Sequence, residues 1–311
     1  MSFPRDAAVY ESKHGLKIER LQTDIGAEIS GVDLRQPLSS AIADDLREAL
    51  NDHGVIFFRN QDIDPQAQLA LTALWGTPNN EGPDPARPEF RPVRSQGGAK
   101  DQSAARWHSD SMHLECPPRV SILRSYQSSI LGGDTAFSSA TAAYAGLPDD
   151  VKARIYDMTF RTSAAFVHAR GLAKGKAMFS SVEKHKEIDA KNPPRNHPVV
   201  IAHPDTHQPV LWINSVYVEY INGMSHFESA DLARYLCDEF KRPEYQCRWR
   251  WTDHSIAVWD NRAVQHYGVP NQLTDRYLER TMAAGDKPLA YAEWRRTQTE
   301  RSPEPALAAG L

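Results

Sequence analysis

Two short stretches narrow most sharply what this chain can fold into: Trp107-His108-Ser109-Asp110, and Trp259-Asp260-Asn261-Arg262-Ala263-Val264-Gln265-His266. If His108, Asp110 and His266 act together, the fold must bring distant parts of the chain to one point. Two imidazoles and one carboxylate are the set that holds a ferrous ion on one face and leaves the opposite face open. Residues two apart on a strand point to the same side, so a strand through 107–110 lets His108 and Asp110 converge on one ion. Ser255 to Asp260 reads as a buried strand, and His266, just past its end, is placed to complete the set. A His-x-Asp pair alone is weak evidence in a chain with 12 histidines. Its competing reading is a surface strand with two solvated polar residues.

The pair has company in Gly132-Gly133-Asp134-Thr135 and in Arg276 and Arg280. Arg276 follows a turn-like Pro270-Asn271-Gln272 and precedes a strand-like Leu278 to Ala283. If that strand pairs with the one before it, the guanidinium returns to the cavity of the metal set. A planar, permanently charged fork is the best side-chain partner for a carboxylate, and Thr135 adds a hydroxyl donor. Together they would anchor the far carboxylate of a 2-oxo diacid whose other end chelates the metal. The bland alternative for Arg276 is a surface ion pair with Asp275 or Glu279.

The rest of the sequence predicts a large, helix-decorated β structure. Its 311 residues, 41% hydrophobic, can form one large domain over 1–311, with 1–14 and 296–311 loosely ordered. Periodicity predicts a helix from Ser40 to Asn51, capped by Ser40 and carrying Ile42, Leu46 and Leu50 on one face. A second helix starts at Asp64-Pro65. Residues 77–105 hold Pro83, Pro85, Pro88, Pro92 and Gly97-Gly98, and read as a long loop forming a wall or lid of a pocket. Strand candidates are Val120–Tyr126, Thr135–Ser139, Val199–His203, Val210–Asn214, Tyr245–Trp251, Ile256–Trp259 and Leu278–Ala284. This pattern is mainly β with α insertions, a double-stranded β-helix (jelly roll) core decorated by helices.

The segment 161–196 carries Lys174, Lys176, Lys184, Lys186, Lys191 and Arg195 against few acids. It reads as a solvated helical lid or, more sharply, as an electropositive mouth for an anionic substrate. His197, His203 and His207 resemble a second metal cluster by count, but Pro198 and Pro204 argue against it. Trp249 and Trp251 read as the inner face of a strand. The net charge of −4 gives no reason to expect nucleic acid or an anionic membrane as partner. Three cysteines are too few for a disulfide framework, which predicts a reducing, cytoplasmic setting. Neither a signal-peptide core nor an apolar run of roughly 20 residues is apparent.

Several motifs then occur in one order: Ile25-Gly26-Ala27-Glu28-Ile29-Ser30-Gly31-Val32-Asp33-Leu34, Val55-Ile56-Phe57-Phe58-Arg59-Asn60-Gln61, the 107–110 run, 132–135 and 259–262. With them the chain, from about Leu16 to Pro288, resembles the TauD/TfdA family of Fe(II)- and 2-oxoglutarate-dependent dioxygenases. The resemblance implies iron ligation by His108, Asp110 and His266. It further implies 2-oxoglutarate held by Thr135 and Arg276, dioxygen as cosubstrate, and Arg280 near the cosubstrate or facing an anionic substrate group. The expected reaction is hydroxylation of an aliphatic C–H with release of succinate and CO2. Thr77-Pro78-Asn79-Asn80-Glu81 and Ala104 depart from the taurine-oxidising members. Leu211-Trp212-Ile213-Asn214-Ser215-Val216-Tyr217 and Ile221-Asn222-Gly223-Met224 look closer to the alkylsulfatase and phenoxyalkanoate branches.

The expected substrate is therefore a small organic acid such as a sulfonate, an alkyl sulfate or a phenoxyalkanoate. Its pocket would be lined by Asn80, Ser111, Met112, His113, Phe166, His168, Tyr217 and Arg280. Tailoring of a natural product such as a terpenoid is the alternative within the same chemistry. A zinc metallohydrolase on the same ligands is the alternative outside it, and it leaves Thr135 and Arg276 without a task. A homo-oligomer, dimer or tetramer, is expected.

Overall fold

The computed structural model describes residues 7–98, 105–172 and 182–301. Val55–Phe58 and Ile256–Asp260 are buried along their whole length. A strand shows alternate residues to opposite faces, so such runs need cover on both sides. The two pair antiparallel in the middle of an eight-stranded sheet. Its order is Val9–Glu11, Lys17–Arg20, Ala27–Ser30, Val55–Phe58, Ile256–Asp260, Val120–Gln127, Arg276–Ala283 and Arg91–Ser95. Val55, Phe57, Ala257 and Trp259 pack toward a smaller sheet of Gln246–Trp249, Thr135–Ser139 and Val264–Gly268. Phe57 stacks on Trp249 with ring centres 4.2 Å apart. The alternate residues Ile56, Phe58, Ile256 and Val258 meet Leu46, Leu50 and Leu71 of the helices Ser40–His53 and Pro65–Ala73. Two sheets face to face with helices outside make the jelly roll expected from the sequence.

The first helix is capped by Ser39, not Ser40: the Ser39 hydroxyl accepts from the Ile42 amide at 3.3 Å. Asp64 caps the second in the same way, with Pro65 in its first turn.

The ends of the chain hold more structure than expected. Val9–Glu11 pairs with Lys17–Arg20, and the buried Asp45 accepts from the His14 amide at 2.9 Å. At the other end Tyr291–Arg301 is helical. Residues 77–98 are not all loop, because Arg91–Ser95 pairs with Arg276–Ala283 at the sheet edge. Proline at 92 is tolerated there because an edge strand leaves one side of its backbone without a ladder.

The insert is helical where described, at Ala164–Leu172 and Val182–Lys191. Lys184 and Lys191 both pair with Glu187, at 3.0 and 3.2 Å, and Arg195 pairs with Glu115 at 3.1 Å. This local neutralisation favours the solvated-helix reading; Lys174 and Lys176 lie outside the described residues. No helix of the described residues is long and apolar enough to cross a membrane.

Candidate metal centre and cosubstrate site

His266 lies in the middle of a strand rather than past the end of one: Val264–Gly268 pairs with Thr135–Ser139, His266 opposite Phe137. On its other side His108 makes a single antiparallel bridge to it. The His108 amide donates to the His266 carbonyl at 3.1 Å, and the reverse bond is 2.9 Å. The chain then leaves strand geometry, with Asp110 opening a turn and Ser111 left-handed at φ 51°. The expected strand through both His108 and Asp110 is thus replaced by a bridge and a turn. The result is still convergence: one ligand atom each from His108, Asp110 and His266 lies within 4.8 Å of the others. His266 Nε2 is 3.9 Å from Asp110 Oδ1.

The electrostatics suit a divalent cation. Burial opposes ionisation of Asp110, but the charges of Arg280, His266 and His108 outweigh it and hold the carboxyl well below the usual range. Burial also pushes both imidazoles down, His266 to about 3, so their nitrogens keep lone pairs at neutral pH. His108 Nδ1 lies 2.7 Å from the Arg106 carbonyl. That contact places the ring proton on Nδ1 and leaves Nε2 free to ligate. Ser121 Oγ donates to Asp110 Oδ2 at 2.9 Å.

Arg276 reaches this region from the opposite sheet. Arg276–Ala283 does not pair with the His266 strand; it pairs with Val120–Gln127 and Arg91–Ser95. Alternation turns Arg276, Leu278 and Arg280 to the inner face, where Leu278 joins the core of Phe137 and Trp259. Arg276 Nη1 donates to the Gly133 carbonyl, and its buried Nε has no partner among the described residues. Gly133 sits at φ 72°, and a Cβ there would lie 3.1 Å from the Gln272 Cβ and 3.5 Å from the Arg276 Cδ. A side chain at 133 would therefore push on the arginine.

The surface pairing considered for Arg276 is absent. Glu279 is held by Arg87 at 3.0 and 2.9 Å, and Asp275 accepts from the Gly97 amide at 2.8 Å. Thr135 Oγ1 accepts from Trp251 Nε1 at 3.0 Å, so the threonine proton is left to donate elsewhere. Asp134 is taken by Arg248 at 2.6 Å. Arg280 Nη1 donates to Asp110 Oδ1, which sets this arginine beside the candidate metal ligand.

The expected pocket residues scatter. Met112 is 1% exposed in a separate core, its sulfur 3.2 Å from Asn214 Nδ2, so it is core rather than pocket wall. Tyr217 accepts from the Ser111 amide at 3.2 Å and stacks on His113, ring centres 5.4 Å apart. The buried His113 Nδ1 lacks a partner among the described residues. Phe166 lines a cavity of about 550 Å³ with Arg106, Trp107, Val218, Ala233 and Tyr267. Trp107 and Tyr267 alternate with His108 and His266, so this cavity opens on the far side of that bridge. His168 is half-buried and Asn80 exposed; Ala104 lies outside the described residues.

His197, His203 and His207 are used separately. They contact the Leu114 carbonyl (2.9 Å), Asp260 (3.0 Å) and the Trp294 ring. His203 does group with Asp205 and Asp260, but Arg262 pairs with both acids.

A profile of the family described as taurine catabolism dioxygenase TauD, TfdA family matches residues 17–282. The chain belongs to that family. An alpha-ketoglutarate-dependent sulfate ester dioxygenase of Pseudomonas putida is 33% identical over 289 residues, spanning 91% of this chain and 95% of that protein. An alkylsulfatase of Acinetobacter baylyi is 31% identical over 279 residues, 87% of this chain and 86% of that one. The crystal structure of AAD-2 in complex with Mn(II) and N-oxalylglycine superposes with a TM-score of 0.74 at 28% identity, covering 88% and 98%. This TauD/TfdA member is a 2-oxoglutarate-dependent dioxygenase, using 2-oxoglutarate and dioxygen. The hydrolase reading of its His-Asp-His set falls away.

Sequence reasoning missed Ser121, Trp251 as the partner of Thr135, and Asn261, which contacts Asp110. Asn261 stood inside a quoted motif, yet its task needs the fold to be seen.

Proposed function

We propose that His108, Asp110 and His266 hold Fe(II), that Arg276 and Thr135 hold the distal carboxylate of 2-oxoglutarate, and that the primary substrate is an alkyl sulfate ester. The observation that carries this reading is the convergence of two neutral imidazoles and one ionised carboxylate within 4.8 Å. When bound, the iron with its cosubstrate supplies dioxygen activation for C–H hydroxylation. The chain's residues do the rest. The half-buried Arg276 offers its buried, unpartnered Nε and remaining N–H groups to a carboxylate as a fork. Trp251 turns the Thr135 proton toward the same group. Phe137 and Trp259 pack behind His266, ring centres 6.4 and 4.9 Å away, and keep water from that side. Arg280 lies where an anionic head group beside the metal set would meet a guanidinium.

Sulfate esters are favoured over taurine because relatives named for sulfate esters and alkyl sulfate cleavage match most of this chain. Hydroxylation of the carbon bearing the ester oxygen gives a hemiacetal-like sulfate, which collapses to an aldehyde and inorganic sulfate. One oxygen atom enters the substrate and the other enters succinate. We place the enzyme in the reducing cytoplasm, in keeping with its free thiols Cys116, Cys237 and Cys247.

The test is succinate release across alkyl sulfates, sulfonates, phenoxyalkanoates and neutral terpenoids. Stimulation by alkyl sulfates is expected. Stimulation by terpenoids alone would overturn the substrate reading and leave the reaction class in place.

A further inference from the structure

The turn that carries Asp110 is gripped by residues outside the ligand set. Asn261 is fully buried between the strands Ile256–Asp260 and Val264–Gly268. Its side-chain amide does for Asp110 what a neighbouring strand would have done. The Asp110 amide donates to Asn261 Oδ1 at 2.6 Å, and Asn261 Nδ2 donates to the carbonyls of Asp110 and Pro118, both at 2.9 Å. The pairing is supplied at the residue where the chain departs from strand geometry.

The turn presenting Asn261 is itself fixed. The Asn261 amide donates to the Arg119 carbonyl at 2.9 Å. Next to it, the buried Asp260 accepts from the Arg262 amide at 2.8 Å and Arg262 Nε at 2.9 Å, with His203 Nε2 at 3.0 Å. At the other end of the Asp110 side chain, the fully buried Ser121 hydroxyl occupies Oδ2. Oδ1 is the oxygen turned toward His266, and it accepts from Arg280 Nη1.

We propose that Asn261 and Ser121 are positioning residues for the metal: Asn261 fixes the Asp110 backbone, and Ser121 holds Oδ2, so that an ion would meet Asp110 through Oδ1, beside the Arg280 guanidinium. The inference rests on reading His108, Asp110 and His266 as the metal set. Its chemical consequence is one-oxygen ligation. A carboxylate free at both oxygens can chelate an ion with both, and would then occupy a position that the cosubstrate and dioxygen need. A backbone clamp also spares the ion the cost of ordering a mobile ligand, so partners of this kind contribute to affinity without touching the metal.

The experiment titrates Mn(II) and Co(II), without oxygen or 2-oxoglutarate, into the full-length wild type, Ser121→Ala, Asn261→Asp, Asn261→Ala and a His108→Ala control. Affinity is read from the metal-dependent melting shift, geometry from the Co(II) absorption spectrum, and fold integrity from the metal-free melting temperature. Ser121→Ala removes one small hydroxyl and is expected to melt close to wild type without metal. It should bind Mn(II) roughly 10-fold more weakly, with an altered Co(II) spectrum. Asn261→Asp keeps the acceptor for the Asp110 amide but loses both donated bonds. It and Asn261→Ala should lose roughly 10- to 100-fold in affinity. Wild-type affinity and an unchanged Co(II) spectrum in Ser121→Ala would overturn the proposal, whether or not the Asn261 variants fold. If the wild type fails to bind, or His108→Ala binds equally well, the ligand assignment itself fails and takes the proposal with it.

Discussion

Replacing Arg276 by alanine should weaken 2-oxoglutarate binding far more than it slows the chemical step. The side chain crosses from the large sheet to the Gly133 carbonyl, and its buried Nε has no partner among the described residues. It can therefore give a carboxylate a two-bond fork away from water. A hydrogen bond to a charged group contributes about 1.5–3 kcal/mol. At about 1.4 kcal/mol per factor of ten, that corresponds to a rise of roughly 10- to 150-fold in the KM for 2-oxoglutarate. Arg276→Lys keeps the charge but loses the fork, and should fall between the variant and wild type. The assay is the initial rate of succinate release against 2-oxoglutarate concentration, with primary substrate saturating. An unchanged KM in a folded Arg276→Ala enzyme would refute the reasoning and move the anchoring role to Arg280.

Thr135→Val removes one hydroxyl and leaves Trp251 Nε1 without its acceptor; at about 1 kcal/mol it should raise the same KM roughly 5-fold, measured in the same assay. His53 is 7% exposed, shares a 2.7 Å bond with the Tyr10 hydroxyl, and is pushed by burial from 6.5 to about 4. Its folded pKa lies below the unfolded one, so its stabilisation is complete above pH 6.5 and lost as pH falls toward 4. The loss amounts to about 3 kcal/mol for that gap; urea unfolding at pH 7 and pH 4.5 should show it, and His53→Gln should lessen it. Chelation with EDTA should lower the melting temperature. The shift corresponds to about 2.7 kcal/mol for protein previously held at one hundred times the metal Kd, and it should vanish in Asp110→Ala.

The sequence pointed to the members of the candidate centre more clearly than to their local path. His108, Asp110 and His266 were legible because few combinations of side chains leave a metal face open, and the convergence follows. The local path was misread because spacing cannot distinguish an extended strand from a bridge followed by a left-handed Ser111. Arg276 was singled out for its carboxylate chemistry. Its sheet partner was not, because pairing with Val120–Gln127 is a contact between segments far apart in sequence. The Arg91–Ser95 edge strand lacks alternation and contains Pro92, so no periodic signal marked it. The helix His226–Asp238 went unread, although Ser225 and Glu228 form a capping box whose spacing could have marked its start. Met112 stood beside the metal motif in sequence, yet the turn drives it into the core. Asn261 could not have been singled out from spacing, since its bonds go to backbone atoms that only the folded chain brings near.

Oxidative cleavage of a sulfate ester is tested by measuring succinate, inorganic sulfate and aldehyde in one reaction containing an alkyl sulfate, Fe(II), 2-oxoglutarate and oxygen. All three are expected in equal amounts, none without oxygen, and none from Asp110→Ala. Sulfate released without oxygen or 2-oxoglutarate, or succinate formed with no sulfate from any alkyl sulfate, would contradict it.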